Sequence, residues 1–536
     1  MDRRVAGTLK VVVAAGILLA TCADAAASQQ QTALLYRMVQ GGTEVGRESY
    51  RASPLVIERS VTIPLLNLRQ DSRTEFAPGG AVARFTLQAY NAAGDSLRGS
   101  IRIEAHGDSI LVHGRSARGE ERTAALRGPI DAVIPGQSVS IISELIDRAA
   151  GRDTVFRVHA VGTDTVLGVT VRFRGARAEV SVAGMVAMRD RRPDAPIEIP
   201  VQRIVATPWN GVDSLPPLPG LLRPRADYSA PPGAPYTAQD FQVPIRMSSG
   251  DTFSLAGTLT LPSASRGRVP VVVTISGSGR QPRDEDLWPV VTGYRPFRDY
   301  AERLAREGIG VFRFADRGVD GSTGGNLEST TADHAEEVRQ IVAWLRSRSD
   351  VDPRRIALLG HSEGGIIGPL VAVDDPAIAA VVILAGPAQT GEQVVRYQLR
   401  RNVETAPGLS DSLRQAQLAL VEEQVQAWLR SNAWTRWFAT YDPLTTARRL
   451  RQPVLIQHGA LDRQVTVEQA EALAAAIRSG GNRDVTVRVY PRLNHLFLPT
   501  DGDGSPSEYA TLRDLALPAQ VLDDTARWLS ARLLRR

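Results

Sequence analysis

Two patterns of apolar and polar positions divide the chain. Between residues 32 and 207, short alternating or β-branched stretches recur with turn residues between them, and helical spacing is scarce. This pattern predicts a smaller, β-rich domain built on an antiparallel sheet or partial barrel. The strands predicted most clearly are Leu34–Val39, Ala81–Tyr90, Leu97–Ala105, Ile110–His113, Thr154–Val161, Val166–Phe173 and Ala178–Met188.

From residue 237 to 536 the pattern changes to unbroken apolar runs that alternate with amphipathic stretches. Strands that are apolar on both faces and separated by helices indicate a mostly parallel sheet covered on both sides. The fold class is therefore α/β, with this part forming the larger domain. The predicted strands are Phe241–Met247, Phe253–Leu261, Val269–Ile275, Gly310–Phe314, Arg355–Leu359, Ala379–Leu384, Gln452–Gln457 and Asp484–Tyr490. The predicted helices are Phe297–Arg306, Ala332–Arg346, Gly364–Val373, Glu468–Arg478 and Leu522–Leu534.

Two stretches fall outside this alternation. Residues 208–236 are rich in proline, which favours an extended, semi-rigid linker between the two domains. Residues 388–450 contain helical sequence, notably Ser410–Leu429, without a core strand. We expect this second stretch to be a helical cap inserted over the edge of the sheet.

The N-terminus has the pattern of a targeting segment. A basic start is followed by the apolar run Val11–Ala20, which is far shorter than the ~20 residues of a membrane-spanning helix. Small residues with A-x-A spacing follow, so residues 1–27 are predicted to be a secretory signal peptide. The mature protein is then expected to be exported, to the periplasm or the extracellular space.

Cys22 is the only cysteine of the chain, which excludes an intrachain disulfide. Leu19–Cys22 (LATC) also resembles a bacterial lipobox, although Thr21 stands where Gly or Ala is usual. Two outcomes stay open, a lipid anchor at Cys22 or loss of this residue with the signal peptide. Membrane association is expected only through such an anchor.

The length and the net charge of the chain indicate the number of domains and the kind of partner to expect. A chain of 536 residues suggests two domains. Its formal net charge of +5 comes from arginines scattered among acids. This is typical of a solvated surface rather than a nucleic-acid footprint. No nucleic-acid partner is expected.

A candidate nucleophile lies between a predicted strand and a predicted helix. The pentapeptide Gly360–Gly364 (GHSEG) fits G-x-S-x-G, with the strand Arg355–Leu359 before it and the helix after it. This is the strand–turn–helix context of a nucleophile elbow, where flanking glycines avoid collisions with neighbouring backbone. Ser362 is therefore the predicted nucleophile.

A serine hydroxyl needs a base in contact, and on this fold the chain order is serine, acid, histidine. Of seven histidines, His495 alone lies both downstream of an acid candidate and after a strand's carboxyl end. We predict it to be the general base. Asp462 follows the strand Gln452–Gln457 and is predicted to orient the imidazole.

An oxyanion requires two fixed N–H donors. One is predicted to be the amide of Glu363, next after the nucleophile. The other is expected from the loop after Val269–Ile275, with Ser278 as the first choice and Gly279 as the second. No metal and no cofactor is implied by this chemistry.

These residues carry a family resemblance over about 237–536. Together the segments resemble exported bacterial serine esterases of the α/β-hydrolase superfamily, in a branch close to dienelactone hydrolases and prolyl-oligopeptidase-like peptidases. The resemblance implies a Ser/Asp/His triad, a helical cap and hydrolysis of carboxylic esters with short or medium acyl chains. The segments are Ser276–Glu285, Arg313–Gly324, Gly360–Gly365, Tyr441–Pro443 and His458–Val465. The chain departs from the family's usual motifs at Arg280, Pro282, Ala315 and Asp320.

Three functions follow as alternatives. The first is a carboxylesterase-type serine hydrolase with a small-molecule ester as substrate. The second is a serine peptidase or aminopeptidase of the same fold, with Asp284, Glu285 and Asp286 as a conceivable acidic clamp for a substrate amino group. The third is a catalytically inactive envelope-binding protein, against which the complete triad argues.

Overall fold

The structure is a computed structural model that describes residues 32–208 and 226–534, apart from short gaps. The gaps are 41–42, 54, 64–67, 91–96, 117–120, 136–137, 162–165, 183–184, 193–194, 201–203, 266, 288–290, 292, 325–328, 407–408, 410 and 430–431. The predicted signal peptide, Cys22 and most of the predicted linker lie outside the described residues. Export and lipid attachment therefore stay predictions.

The chain divides into two compact units. The first holds the described residues before 224 together with Leu399–Ala427, and the second holds residues 224–398 and 428 onward. The predicted insertion at 388–450 is helical, but its middle part belongs to the first unit. The cap over the sheet's edge stays a prediction.

The first unit is built on one 15-stranded sheet. Nearly every strand pairs antiparallel with its neighbour in sequence, whereas β1 pairs with β15 and β9 lies parallel to β10. The strands are β1 (Thr32–Gln40), β2 (Thr43–Ser53), β3 (Val56–Ile63), β4 (Leu68–Phe76), β5 (Val82–Tyr90), β6 (Leu97–His106), β7 (Ser109–Ser116), β8 (Glu121–Arg127), β9 (Ala132–Ile134), β10 (Thr154–Ala160), β11 (Val166–Arg174), β12 (Arg177–Val182), β13 (Met185–Asp190), β14 (Ile197–Ile199) and β15 (Ile204–Pro208).

One helix, α1 (Ser140–Ala149), packs against the apolar face of this sheet. Polar side chains buried with it are paired. The Glu48 carboxylate accepts from the amides of Val139 and Ser140 at 2.7 and 2.8 Å, where it satisfies the helix N-terminus. Arg59 pairs with Glu144 on the helix itself. Each of these buried charged side chains thus has a polar or charged partner within the core.

The second unit contains an eight-stranded sheet in the order β16-β17-β19-β18-β20-β21-β22-β23. The pairs β16–β17 and β17–β19 are antiparallel, and from β19 onward neighbouring strands are parallel. The strands are β16 (Tyr236–Arg246), β17 (Thr252–Pro262), β18 (Val269–Ile275), β19 (Gly310–Phe314), β20 (Val351–His361), β21 (Ile378–Leu384), β22 (Val454–Gly459) and β23 (Val485–Tyr490).

Helices alternate with these strands along the chain. They are α2 (Pro296–Ala305), α3 (Thr331–Arg346), α4 (Gly364–Ala372), α5 (Gly391–Glu404), α6 (Asp411–Leu429), α7 (Ala433–Thr440), α8 (Pro443–Ala447), α9 (Glu468–Ser479) and α10 (Ala519–Leu533), with a short 3-10 helix at Pro506–Thr511. Apolar residues of α2, α3, α4, α8, α9 and α10 lie in the cores that cover the sheet, whereas the end of α5 and most of α6 belong to the first unit. This is the predicted α/β-hydrolase architecture. The carboxyl ends of its parallel strands meet at one edge of the sheet, where functional loops of such folds lie.

The predicted elements agree with the structure in the second unit and only partly in the first. The predicted strands Val269–Ile275 and Gly310–Phe314 have the observed bounds. In the first unit, the single strand predicted at Ala178–Met188 is wrong, because β12 and β13 pair with each other as two antiparallel strands. Helix α1 was not predicted. Among the described residues, none of the helices combines the length and apolar composition that a membrane span requires.

Candidate active site

The predicted nucleophile lies at a strained turn. Ser362 follows β20 directly and has φ +53°, in the left-handed region that non-glycine residues rarely adopt. A Cβ on Gly360 would lie 1.9 Å from the Gly364 carbonyl oxygen, and one on Gly364 would lie 2.2 Å from that of Ile275. The G-x-S-x-G spacing is therefore a steric requirement of this turn. The Ser362 amide donates to the Leu384 carbonyl at 2.8 Å, which fixes the turn to β21.

The predicted acid and base are in contact. Asp462 follows β22 and His495 follows β23, so both lie beyond the carboxyl ends of adjacent strands. The His495 Nδ1 lies 2.7 Å from Asp462 Oδ2. The other carboxylate oxygen accepts from the amides of Gln464 and Val465 at 2.8 and 2.9 Å. These bonds leave Nε2 as the basic nitrogen of His495 when Nδ1 carries the proton.

Burial and neighbouring charge set the protonation of this pair. Burial opposes the charged form of Asp462, but the charges of His495 and His458 and their hydrogen bonds outweigh it, so the Asp462 pKa is lowered. For His495, burial is the largest cause, and it lowers the pKa further than the Asp462 carboxylate raises it. At neutral pH the pair is therefore a carboxylate and a neutral imidazole, which is the state a general base needs.

Ser362 and His495 are not joined by a direct hydrogen bond. In the described part of the chain, no hydrogen bond joins the Ser362 hydroxyl to the His495 ring. They are linked instead through His361, whose Nε2 donates to the His495 carbonyl oxygen at 3.0 Å and whose ring centroid is 4.9 Å from that of His495. Hydrogen bonds between nucleophile and base are often long or poorly aligned before substrate binds. The role of Ser362 stays a prediction.

The predicted oxyanion loop lies against the nucleophile. A Cβ on Gly277 would be 3.1 Å from the Ser362 Cβ, so the backbone approaches as closely as glycine allows. The Gly277 amide is occupied, because it donates to Glu285 Oε1 at 2.7 Å. The amides of Ser278 and Glu363 make no hydrogen bond to any other residue that the structure describes. Both are therefore available to a ligand. Gly279 (φ +102°) lies at the turn, and its amide likewise makes no hydrogen bond to a described residue.

One of the departures from the family motifs, Arg280, helps to connect two loops beside the site. The Arg280 guanidinium donates to the Gly318 carbonyl at 2.6 Å. The Asp316 carboxylate accepts from the Gln281 amide at 2.8 Å. Burial raises the pKa of Asp316 to about 7. These two hydrogen bonds hold the loop after β18 to the loop after β19.

The acidic run predicted as a possible clamp is engaged internally at two of its positions. Asp284 is fully buried and pairs with Arg295 at 2.7 Å and with Arg313. Glu285 is buried against the site and pairs with His361 at 2.9 Å. Neither carboxylate is placed as the free clamp that the peptidase hypothesis requires.

Sequence reasoning missed the side-chain role of Glu363. Its Oε1 accepts from the Thr331 hydroxyl at 2.6 Å and from the Trp434 indole N–H at 2.8 Å. Trp434 stacks on Phe438 with ring centroids 5.0 Å apart. Helix α7 is therefore attached through an aromatic pair to the residue that follows the nucleophile. Nothing local in the sequence indicates this contact, which spans 71 positions.

No group of three or more His, Cys, Asp or Glu side chains within the described ranges is arranged to hold a metal ion.

Comparison with known proteins finds similarity to hydrolases over part of the chain. A family model described as X-Pro dipeptidyl-peptidase (S15 family) matches residues 251–498, which include Ser362, Asp462 and His495. Esterase EstD of Thermotoga maritima is 29% identical over 286 residues, covering 51% of this chain and 65% of that protein. Dipeptidyl aminopeptidase BIII of Pseudoxanthomonas mexicana is 25% identical over 273 residues, covering 48% of this chain and 35% of that protein.

The chain thus matches less than two thirds of the length of either relative. A solved esterase of Pyrococcus furiosus matches 58% of this chain and 97% of its own, with 16% identity and a TM-score of 0.40.

Proposed function

We propose that this protein is a serine hydrolase that cleaves carboxylic esters of short to medium acyl chains through an acyl-enzyme on Ser362. One observation carries the proposal. The serine lies at a strained strand–turn–helix, and the residue before it bonds to the backbone of a histidine that is itself hydrogen-bonded to a buried carboxylate. The similarity to esterase EstD supports ester chemistry.

The proposed reaction begins with proton transfer from the Ser362 hydroxyl to His495 Nε2 as Oγ attacks the ester carbonyl. The carbonyl oxygen becomes an oxyanion that accepts hydrogen bonds from the Ser278 and Glu363 amides. The intermediate then collapses, the ester C–O bond breaks, and His495 gives its proton to the leaving alcohol. Water repeats the sequence on the acyl-enzyme and releases the acid, while Asp462 stabilises the imidazolium in both halves.

A peptidase of the same fold is the second candidate, and the S15 family match favours it. The burial of Asp284 and the pairing of Glu285 weigh against it, because a substrate amine would have to displace an existing partner. An inactive binding protein is the third candidate, and it predicts no reactivity at Ser362.

The deciding experiment compares p-nitrophenyl esters of increasing acyl length with dipeptide p-nitroanilides on the purified protein. We expect turnover of the esters, weak or no turnover of the anilides, and covalent labelling of Ser362 by a fluorophosphonate probe. A higher kcat/KM for the anilides identifies a peptidase. A protein that turns over neither substrate and resists the probe is the inactive binding protein.

Trp434 is the aromatic residue attached to the site, and we expect it to influence acyl-chain preference. Trp434→Ala removes both the indole ring and the hydrogen bond to Glu363. We expect the ratio of kcat/KM for octanoate over acetate esters to fall roughly tenfold, as for the loss of a few methylene contacts in a pocket. The matched control is Trp437→Ala on the same helix, whose ring stacks on Tyr441 instead. Equal changes in the two variants would argue against a substrate contact at Trp434.

A further inference from the structure

A buried acid and a buried histidine outside the proposed triad link the loops that surround Ser362. Glu285 Oε1 lies 2.7 Å from the Gly277 amide nitrogen and 2.9 Å from His361 Nδ1. The opposite nitrogen of His361 donates to the His495 carbonyl oxygen at 3.0 Å. A single chain of contacts therefore runs from the oxyanion loop, through the residue before the nucleophile, to the backbone of the proposed base.

The contacts of His361 define its charge. Both ring nitrogens face oxygen acceptors, a carboxylate and a carbonyl, so both carry protons when the two bonds form. Burial opposes this cation, but the charge and hydrogen bond of Glu285 outweigh it and raise the pKa of His361. The ring is thus an imidazolium paired with a carboxylate, and both are almost fully buried.

The position of this cation matters for His495. The two ring centroids are 4.9 Å apart, whereas Glu285 lies on the far side of His361, bonded to Nδ1. The nearer positive charge opposes formation of a second imidazolium on His495. It therefore acts against Asp462, which favours that imidazolium, and keeps His495 neutral and ready to accept a proton.

The backbone and the second oxygen of Glu285 show that this arrangement is maintained at a cost in stability. Glu285 has φ +58°, and its Oε2 is buried without a hydrogen-bond partner among the described residues. Strained backbone and unsatisfied buried polar atoms of this kind cluster at functional sites.

We propose that Glu285 and His361 form a positioning pair, which ties the oxyanion loop and the His495 loop together around Ser362 and places a fixed positive charge beside the proposed base. The proposal rests on the proposed function. Neither residue touches the reacting atoms, since the pair acts through the Gly277 amide and through His495.

The other ionisable groups around the pair leave this assignment intact. They are Asp462, His458, His495, Tyr294 and Tyr509. Burial raises the pKa of both tyrosines well above their usual value, so both are neutral. Asp462 is a carboxylate, and His361 supplies the positive charge that faces the His495 ring from the elbow.

The test is the pH profile of ester hydrolysis in His361→Gln and Glu285→Gln. Activity requires neutral His495, so kcat/KM rises with pH through the His495 pKa. His361→Gln removes the cation and leaves the Glu285 charge, so the His495 pKa should rise and the acid limb should move up by about one pH unit. Glu285→Gln removes the partner that keeps His361 charged. It should therefore shift the acid limb of the pH profile in the same direction, but by a smaller amount than His361→Gln does.

The matched control is Tyr294→Phe. The Tyr294 hydroxyl donates to the Leu496 carbonyl at 3.0 Å, on the same loop as His495, but carries no charge. Tyr294→Phe should lower kcat without shifting the acid limb of the pH profile. The proposal is overturned if the wild-type protein hydrolyses esters and neither His361→Gln nor Glu285→Gln shifts the acid limb of the pH profile. The proposed function would then still stand.

Histidine NMR with ¹⁵N labelling supplies a readout that does not need turnover. At pH 7 both nitrogens of His361 should carry protons in the wild type and only one in Glu285→Gln. The His495 titration midpoint should rise in His361→Gln. If His361 is singly protonated in the wild-type protein, the proposed Glu285–His361 ion pair is rejected, whatever the activity of the enzyme. If the protein hydrolyses no ester while the NMR shifts appear, the proposed function fails and the charge coupling is retained. Thermal melting confirms that each variant is folded, and Glu285→Gln replaces His361→Gln if the latter does not fold.

Discussion

Ser362→Ala should abolish turnover of p-nitrophenyl esters while the protein stays folded. Removal of the nucleophile from a working triad lowers kcat by about 10⁶, because the remaining groups have nothing to activate. The side chain is half-buried and makes no hydrogen bond to another described residue, so its loss removes no structural contact. Steady-state hydrolysis, thermal melting and labelling by a fluorophosphonate probe measure the three parts of this prediction.

The control for this variant is Ser249→Ala, at an exposed turn between β16 and β17. It should keep wild-type rates and full probe labelling. Residual ester hydrolysis above one tenth of the wild-type rate in Ser362→Ala would place the nucleophile elsewhere. An alanine variant that melts at a much lower temperature would show that the serine has a structural role at the elbow.

Asp462→Asn should have the second largest effect. An asparagine has one acceptor oxygen, which the amides of Gln464 and Val465 occupy, so its NH2 group faces His495 Nδ1 and the imidazole adopts the wrong tautomer. In a working triad this substitution lowers kcat by about 10⁴. The Asp462 charge raises the His495 pKa, so its removal should also move the acid limb of the residual activity to lower pH. This direction is opposite to that expected for His361→Gln.

Asp501→Asn is the matched control, because Asp501 is exposed on the loop after His495 and, among the residues that the structure describes, its ion pair is with exposed Arg492. Exposed pairs of this kind contribute about 0–1 kcal/mol. The control should change neither the rate nor the pH profile. If Asp462→Asn retains more than a few per cent of the wild-type kcat, another group orients His495.

The elements of the second unit could be predicted because the pattern that marks each of them lies within a short stretch of sequence. Strands such as β18 are buried on both faces, so the sequence shows an unbroken apolar run with the observed bounds. The loop positions of Ser362, Asp462 and His495 follow from strand ends, and the structure brings the latter two into contact. The contacts of Glu285 with His361 and of Trp434 with Glu363 span 76 and 71 positions, and no local pattern indicates them.

The first unit was less predictable because its buried face is partly polar. In β4 three of the four inward positions are the polar residues Gln70, Ser72 and Thr74, so the apolar alternation that marks a strand is missing. Helix α1 buries Ser143 and Glu144 beside its isoleucines, which hides its amphipathic spacing. Both elements are held by partners distant in sequence, such as Arg59 for Glu144.

The pairing of β1 with β15 constrains the order in which the first unit can be completed. Five aligned residue pairs, from Tyr36 with Pro208 to Gln40 with Ile204, join the earliest and the latest strand of this sheet. When the chain is synthesised from its N-terminus, strands β1 to β8 can pair one after another as antiparallel hairpins. Until β15 arrives, β1 presents unpaired N–H and C=O groups, which invite pairing with another chain. The β1 edge is therefore exposed to aggregation until β15 has been made and pairs with it.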